Sequence, residues 1–515
     1  MSAMPAALPP LINALLDPRC YPHAVDRVEW IETHASWLLL AGDFAYKIKK
    51  QITLPFLDYG TLARREAFCR AELVLNHRLA PDLYLAVVPV GGTPERPRLG
   101  VQPAIEWAVQ MRRFDENGRL DRVAARGELQ PVHLSRLAGT LCAFQQAAAV
   151  AAPGTRFGAP EQVLAAAREN FVELRQLLPP SGQPQVEQLA SWTGAEFARR
   201  EKDFAARKSG GRVREGHGDL HLGNLVLIDG QVTAFDCIEF NEDFRWNDAA
   251  SEIAFVWIDL LDHRQPGLAA WLLNAWLEAG GDFQALAVLR FYAVYRAVVR
   301  AKIAALRAGQ EDGGQSSAEL ELAGGYLQLA RQIAMPPAPT LVITCGLSGS
   351  GKTTASSARL LDGTNAAAGS IVRLRSDVER KRLFGLAPLA GSGSAPDSGI
   401  YTAEATTRTY ARLLGLARDI LSAGWPVIVD AAFLQRAERA AFRALAAELG
   451  AGFGILATAA PAAELRQRLM LRSGDASEAT VAVLEKQMTW FEALDEDEQS
   501  CVVAAGQLPS RQERP

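Results

Sequence analysis

Two aspartates and an asparagine between Gly216 and Phe240 (GHGDLHLGNLVLIDGQVTAFDCIEF) have the types and spacing to handle a phosphoryl group. Asp219 and Asn224 stand five apart on an expected tight loop, and Asp236 closes a later apolar run. Transfer of a γ-phosphoryl group asks for positioning and charge neutralisation more than covalent help. One carboxylate accepts or orients the proton of the attacking hydroxyl. A second carboxylate and an amide oxygen suit Mg²⁺, a hard cation that prefers oxygen. Asp219 fits the first role, Asn224 and Asp236 the second. The plainer alternative is an ordinary β-hairpin with a polar loop; two His, two Asp and an Asn gathered there argue against it.

A second chemistry lies downstream. Gly346-Leu347-Ser348-Gly349-Ser350-Gly351-Lys352-Thr353-Thr354 is a complete GxxxxGK[ST] phosphate loop, entered from an apolar strand and left by a helix. Its glycines let backbone N–H groups turn in on phosphates, helped by the helix dipole. Lys352 is expected at the β- and γ-phosphates, and the Thr353 hydroxyl on Mg²⁺. Asp377, just past the next strand, suits contact with an acceptor hydroxyl, or else caps the following helix. Asp430 ends a third apolar strand in the Walker B manner, supporting the metal. Arg468 and Arg472 stand four apart on one helix face and either close over phosphates or form a solvated basic face. Gln487 has no evident role.

These groups need scaffolding. Leu225–Ile228 and Val232–Phe235 are short apolar runs around Asp229-Gly230, a strong hairpin signal that folds Asp236 back toward the Asp219–Asn224 loop. Upstream, Trp37–Ala41 and Phe44–Lys50 read as strands around a Gly42-Asp43 turn. Strand alternation puts Lys47 and Lys49 on one face. Thr61–Leu79 is helical and offers Glu66 and Glu72 as partners for one of them; all four are otherwise surface charges. No glycine-rich loop precedes these strands, which leaves Glu32–Ser36 to cover the phosphates. Val87–Val90 and Leu99–Met111 suggest further strands, with Glu106–Met111 near an adenine. Val132–Lys208 is helical with one break at Pro179–Pro184, and Phe244 opens a helical region to about Ala334. Arg245 and Asp248 are an expected structural pair. Trp246, Trp257, Trp271 and Trp276 read as core or interface aromatics, or else as walls of a substrate pocket. Met335-Pro-Pro-Ala-Pro339 is a stiff break. Strands are expected at Leu341–Thr344, Ile371–Leu374 and Val427–Asp430, with a surface loop over 387–399.

At 515 residues the chain exceeds one core, so two or three domains are expected. A net charge of −4 without a basic tail gives no electrostatic case for bulk nucleic-acid or membrane binding. Cysteines 20, 69, 142, 237, 345 and 501 are scattered without CxxC spacing, which argues against zinc or a disulfide framework and for a reducing, cytoplasmic setting. The N-terminus lacks a basic region and is broken by Pro5, Pro9 and Pro10, so no secretory leader is expected. No apolar run has the length of a membrane span.

The order Asp219, Asn224, hairpin, Asp236 resembles the protein-kinase catalytic loop and metal aspartate. His-Gly-Asp-Leu-His-Leu-Gly-Asn in place of His-Arg-Asp is similar to the aminoglycoside phosphotransferase and choline kinase branch. That resemblance favours Lys47, in Ala-Tyr-Lys, as the phosphate-binding lysine, with Lys49 as alternative, and Glu72 over Glu66 as its partner. Arg375-Ser-Asp-Val-Glu-Arg-Lys, Val-Ile-Val-Asp430-Ala-Ala-Phe and the late arginine helix resemble small P-loop kinases of the AAA_33, zeta-toxin and polynucleotide-kinase type. Together they resemble bacterial fusions of an aminoglycoside phosphotransferase-like domain with an AAA family ATPase. The implied fold combines α/β and α+β parts. A two-lobed kinase-like domain spans 1–335 (small lobe about 20–110, large lobe about 111–335), and a P-loop parallel-sheet α/β domain spans 336–515. The resemblance implies two ATP sites using Mg²⁺ and small hydroxyl-bearing acceptors. One alternative keeps a single active kinase regulated by a nucleotide-binding P-loop half. Another makes the second half a nucleic-acid end kinase, which the acidic charge disfavours. The acids Glu239, Glu242 and Asp243 hint at a pocket for polycations.

Overall fold

The computed structural model describes residues 8–54, 57–309, 314–364, 369–394, 398–471 and 476–504. The chain divides into two compact units: Met1–Leu129, Ala143–Gly158 and Lys208–Glu252 form the first, and Gln130–Cys142, Ala159–Arg207 and Ile253–Pro515 the second.

The first unit is built on an antiparallel sheet. β1 (Val28–Glu32), β2 (Ser36–Ala41) and β3 (Phe44–Lys49) follow one another by short turns. Gly42 takes φ 60° at the second turn, where a side chain is disfavoured. A two-residue pair, β4 (Thr53–Leu54) and β5 (Leu57–Asp58), leads into helix α1 (Leu62–Asn76), capped by the Thr61 hydroxyl. β6 (Tyr84–Thr93), β7 (Arg96–Leu99) and β8 (Ala104–Arg112) complete the sheet in the order β1-β2-β3-β8-β6-β7. Leu39, Tyr46, Ile48 and Ala108 anchor one face; Leu40, Ala45, Trp107 and Val109 anchor the other. The unit is completed by β9 (Val213–Glu215), the hairpin β10 (Leu225–Ile228) with β11 (Gln231–Ala234), and β12 (Trp246–Asp248), which pairs with β9. Asp229 and Gly230 take φ of 49° and 72°, the left-handed pair that a two-residue type I′ turn requires.

The second unit holds a parallel sheet of β13 (Thr340–Cys345), β14 (Val372–Arg375), β15 (Val427–Asp430) and β16 (Gly452–Ala457), ordered β14-β15-β13-β16. These strands are almost wholly buried, as expected for a sheet covered on both faces. β16 had no counterpart in the sequence reading. Among its helices are α2 (Pro266–Gly280), α3 (Lys352–Leu361), α4 (Ser376–Leu383) and α5 (Ala462–Leu471). Trp425, fully buried, donates from its indole N–H to the Leu286 carbonyl (2.9 Å), and Trp257 donates to Gly369 O (2.8 Å), so the sheet is locked to helices that precede it in the chain.

Two expectations on helices change. The stretch 132–208 breaks twice, because helices Pro131–Ala147, Pro160–Leu177 and Gln183–Ser209 leave 148–159 irregular around Pro153-Gly154 as well. Trp257 and Trp276 are core residues as expected, whereas Trp246 is half-buried on Phe157 and Trp271 is half-buried at a cavity wall.

Candidate active sites

In the first unit α1 turns a polar face inward. Arg65, Glu72 and Asn76 are all buried along it. Glu72, fully buried, accepts from Lys47 at 2.8 Å and from Lys49 at 2.7 Å. Both candidate lysines therefore share one glutamate, and Glu66 pairs with Arg70 at the surface instead. The lysines differ in their second partners. Lys47 reaches Asp236 Oδ1 at 2.5 Å, while Lys49 is enclosed with Glu239 and the Tyr59 hydroxyl. Burial works against charge on both. Asp236 and Glu72 around Lys47, and Glu239 and Glu72 around Lys49, outweigh it and raise both ammonium groups well above their usual range. Burial likewise pushes the Glu72 carboxyl up, but the two lysines hold it below the ordinary carboxylate range.

The Asp219 loop is fixed from beneath. Asn224 donates its amide N–H to the Asp219 carbonyl (3.0 Å) and to Asp219 Oδ2 (3.1 Å). His221 accepts the Gly223 N–H on Nδ1 (3.1 Å), which leaves Nε2 protonated, 3.5 Å from Asp219 Oδ2. His217 is fully buried and bridges the loop to the end of the hairpin: Nδ1 accepts from Asp219 N–H (3.3 Å) and Nε2 donates to Phe235 O (2.9 Å). That tautomer is neutral, and burial lowers the imidazole pKa accordingly. Glu252 accepts the N–H of both His217 and Gly218, and Gly216 lies so close to this carboxylate that a Cβ would collide with it.

Asp236 is brought to the same place by the hairpin. Phe235 N–H donates to Asn224 O (3.0 Å), and Asp236 itself sits at φ 63°, with its N–H on the Tyr84 hydroxyl (3.0 Å). Left-handed backbone at an aspartate persists only where neighbours impose it. Hydrogen bonds thus join Lys47 to Glu72 and Asp236, and Asn224 to Asp219, and the Phe235 N–H on Asn224 O links the two groups through the backbone. The donor set fits Mg²⁺: Asn224 spends its amide nitrogen on Asp219 and keeps its oxygen, and the Asp236 carboxylate is 43% exposed. Among the described residues no group of three or more His, Cys, Asp or Glu is placed to hold a metal.

One neighbouring expectation, a pair between Arg245 and Asp248, is corrected. Arg245 pairs with Glu215 (2.9 Å) and donates to Ile238 O, while Asp248 accepts the Ala250 N–H; the β9–β12 pairing puts Glu215 within the arginine's reach. The acids 239, 242 and 243 are already committed, to Lys49, Arg245 and Arg156 respectively. Glu32–Ser36 forms the β1–β2 turn, closed by reciprocal Thr33–Ser36 hydrogen bonds. Glu106–Met111 runs inside strand β8, with Glu106 paired to Arg65 at 2.8 Å.

In the second unit the phosphate loop joins β13 to α3, and Gly346, Gly349 and Gly351 all have φ between 83° and 155°. Lys352 lies across the loop, donating to Gly346 O (2.9 Å) and Leu347 O (2.8 Å). Gln487 accepts the Ser348 N–H (2.8 Å), which gives that residue a place. Ser348 to Thr354 line a cavity of about 2300 Å³ together with Asp377, Asp430 and Arg468. Asp430, buried at the end of β15, accepts from the Ser356 hydroxyl on Oδ2 (3.0 Å). Thr353 and Asp430 both line the cavity, and a hydroxyl and a carboxylate are oxygen donors of the kind that suits Mg²⁺. Asp377 is in the first turn of α4 but is not its cap, which falls at Arg375. Burial, then Asp377 and Glu478, raise the nearby Tyr401 phenol. Arg468 on α5 donates to Gly349 O (3.1 Å) and pairs with Glu464, so it grips the loop; Arg472 lies outside the described residues.

Sequence reasoning missed Tyr84 and Glu252 and gave Glu239 a different part; all three hold these groups from a distance in the chain that no periodicity reports.

Residues 91–297 match the phosphotransferase enzyme family (APH), and residues 341–494 match the AAA domain AAA_33. The chain is a kinase-like phosphotransferase segment fused to a P-loop AAA domain on a parallel sheet. It belongs to one family with the uncharacterized protein Rv2004c of Mycobacterium tuberculosis (strain ATCC 25618 / H37Rv) and the uncharacterized protein Mb2027c of Mycobacterium bovis (strain ATCC BAA-935 / AF2122/97). Each is 30% identical over 486 residues, covering 92% of this chain and 93% of the relative. Among solved structures it is similar to choline kinase from Cryptosporidium parvum Iowa II (9% identity, 62% of this chain and 95% of that one, TM-score 0.39). It is also similar to a choline/ethanolamine kinase family protein from Mesorhizobium loti (11%, 59% and 92%, TM-score 0.36). Among the described residues no helix is long and apolar enough to cross a membrane.

Proposed function

We propose that this protein is a cytoplasmic, ATP-dependent bifunctional phosphotransferase. On this reading its two functional halves, 1–335 and 336–515, each transfer the γ-phosphate of ATP to a hydroxyl group of a small molecule. The observation that supports the reading above all is the pairing of Lys47 with Asp236, next in the chain to Phe235, whose N–H bonds the carbonyl of the same Asn224 that holds Asp219.

In the first half Asp219 takes the proton of the acceptor hydroxyl as its oxygen attacks the γ-phosphorus and the bond to the β-phosphate oxygen breaks. Asn224 and Asp236 would hold Mg²⁺, which would supply charge neutralisation at the phosphates. Lys47 steadies the phosphate tail and is itself steadied by Glu72. His217 and His221 shape the loop. In the second half the loop from Gly346 to Thr354 cradles the phosphates, Lys352 swings from its own loop carbonyls to the triphosphate, Thr353 and Asp430 serve the metal, and Asp377 faces the acceptor. Arg468 holds the loop.

The test is transfer from γ-labelled ATP into a pool of small metabolites by Asp219→Ala and Lys352→Ala proteins. Each change is expected to remove a different set of labelled products. If one change alone removes all transfer, one half is regulatory and the bifunctional reading falls. Label entering oligonucleotides at low salt would move the second half to nucleic-acid ends.

A further inference from the structure

Within the second unit, one wall of the P-loop cavity is not supplied by the AAA match. Helix α2, inside the phosphotransferase match, presents Trp271, Asn274 and Glu278 to it. The helix is fastened to the sheet. Asn274, 2% exposed, donates to Ile371 O (2.7 Å) and accepts Arg373 N–H (2.5 Å), satisfying backbone groups on edge strand β14 as a neighbouring strand would. Ala270 packs in one core with Val342, Leu360 and Ile428. Gly267 approaches the Leu361 carbonyl of α3 so closely that no side chain fits.

The charged contact follows from that docking. Glu278 Oε1 is 3.1 Å from Arg373 and Oε2 is 3.7 Å from Arg375, two residues before Asp377. Arg373 is 5% exposed; it also donates to Ser357 on α3 (2.7 Å) and lies over the Trp271 ring at 5.8 Å. Trp271 is fixed in turn by its N–H on the Ser135 hydroxyl (2.8 Å). A guanidinium this buried needs an anion beside it.

We propose that Glu278 is a positioning residue for the P-loop site, holding Arg373 and Arg375 in the cavity wall from a helix of the phosphotransferase segment. The inference rests on the reading of the second half as a nucleotide site. It means that the P-loop half is completed by its neighbour, and that nucleotide in that cavity acts directly on a helix of the first match.

The experiment titrates the full-length chain with MgATP, taking as signal the binding that Lys352→Ala removes. Glu278→Gln is expected to weaken that binding on the order of tenfold, since small displacements of aligned groups cost 10- to 100-fold. Glu278→Asp should restore part of it. Trp271→Phe should diminish the Lys352-dependent change in tryptophan fluorescence, Trp490 on the same cavity supplying the remainder, while the protein remains folded. A Glu278→Gln isotherm that superimposes on the unchanged protein overturns the proposal. So does a Trp271→Phe protein whose fluorescence response to MgATP is undiminished, a result available even if Glu278→Gln does not fold. A Lys352→Ala protein that binds MgATP as well as the unchanged chain removes the nucleotide reading itself, which Glu278→Gln alone does not.

Discussion

Lys47→Met and Lys49→Met should fail in different ways, although the two lysines are two residues apart and share Glu72. Lys49 has a side chain only 1% exposed, and its partners Glu72 and Glu239 are 0% and 4% exposed. Removing the ammonium leaves Glu239 without its cation in a dry interior, and breaking such a buried pair costs about 3–5 kcal/mol. Against a domain stability of roughly 5–15 kcal/mol that loss is large. Lys47 is 15% exposed, and Asp236 at 43% can turn to water, so that contact contributes about 1 kcal/mol or less. Glu72 meanwhile keeps Lys49. The stability cost of Lys47→Met is therefore the smaller, and its functional cost the larger: removal of a preorganised charge at the phosphates slows transfer on the order of 100- to 1000-fold. Urea unfolding followed by circular dichroism measures the first effect. Labelled-phosphate transfer in a Lys352→Ala background measures the second. Acid adds a signature. Lys47 and Lys49 outweigh burial and lower the Glu72 carboxyl, so the unfolded chain binds the extra proton first. The stability this confers is complete above about pH 4.3 and is lost as pH falls through and below that value. Lys49→Met should flatten that acid limb. Equal destabilisation by the two changes, or a Lys47→Met protein that transfers phosphate at the full rate, would refute the division of labour.

Two further outcomes follow from the loop's supports. Gly216→Ala places a methyl group against the Glu252 carboxylate that holds His217 N–H and Gly218 N–H; first-half transfer should fall about tenfold or more, with the Lys352-dependent products unchanged in a labelled-product profile. His217 is buried and its pKa lowered by that burial, so the unfolded chain takes up a proton that the folded one refuses; stability should decline as pH drops below about 6.5, and His217→Gln should remove that slope in urea midpoints measured between pH 5 and 8.

The parts that could be read from sequence are those whose physics is local. Asp229-Gly230 announces a turn because few other pairs accept two positive φ values, and both take them. The phosphate loop is equally local, since its glycines, lysine and strand–helix setting lie within one short stretch. Period-two alternation put Lys47 and Lys49 on one face, but alternation names a face and not a partner. It therefore left open which lysine met the glutamate, when Glu72 meets both. The pairing of Arg245 with Glu215 rather than Asp248 depends on two short strands 30 residues apart finding their register.

What stayed hidden has a common cause. Helix α1 buries Arg65, Glu72 and Asn76, and α2 buries Asn274 among apolar neighbours, so polar groups stand where a hydrophobic pattern would seek leucine. Charged and amide side chains are rarely enclosed unless paired. Each of these is paired across a long stretch of chain: Arg65 with Glu106, Asn76 with Cys237 N–H, and Asn274 with β14. A periodicity search scores such positions as surface and discards them. The burial rule is broken where side chains must present charge to a shared point, so the residues least visible to pattern reading are the ones that hold both candidate sites in shape. Glu278 illustrates the consequence: its two arginine partners lie some 95 residues on, beyond the proline break.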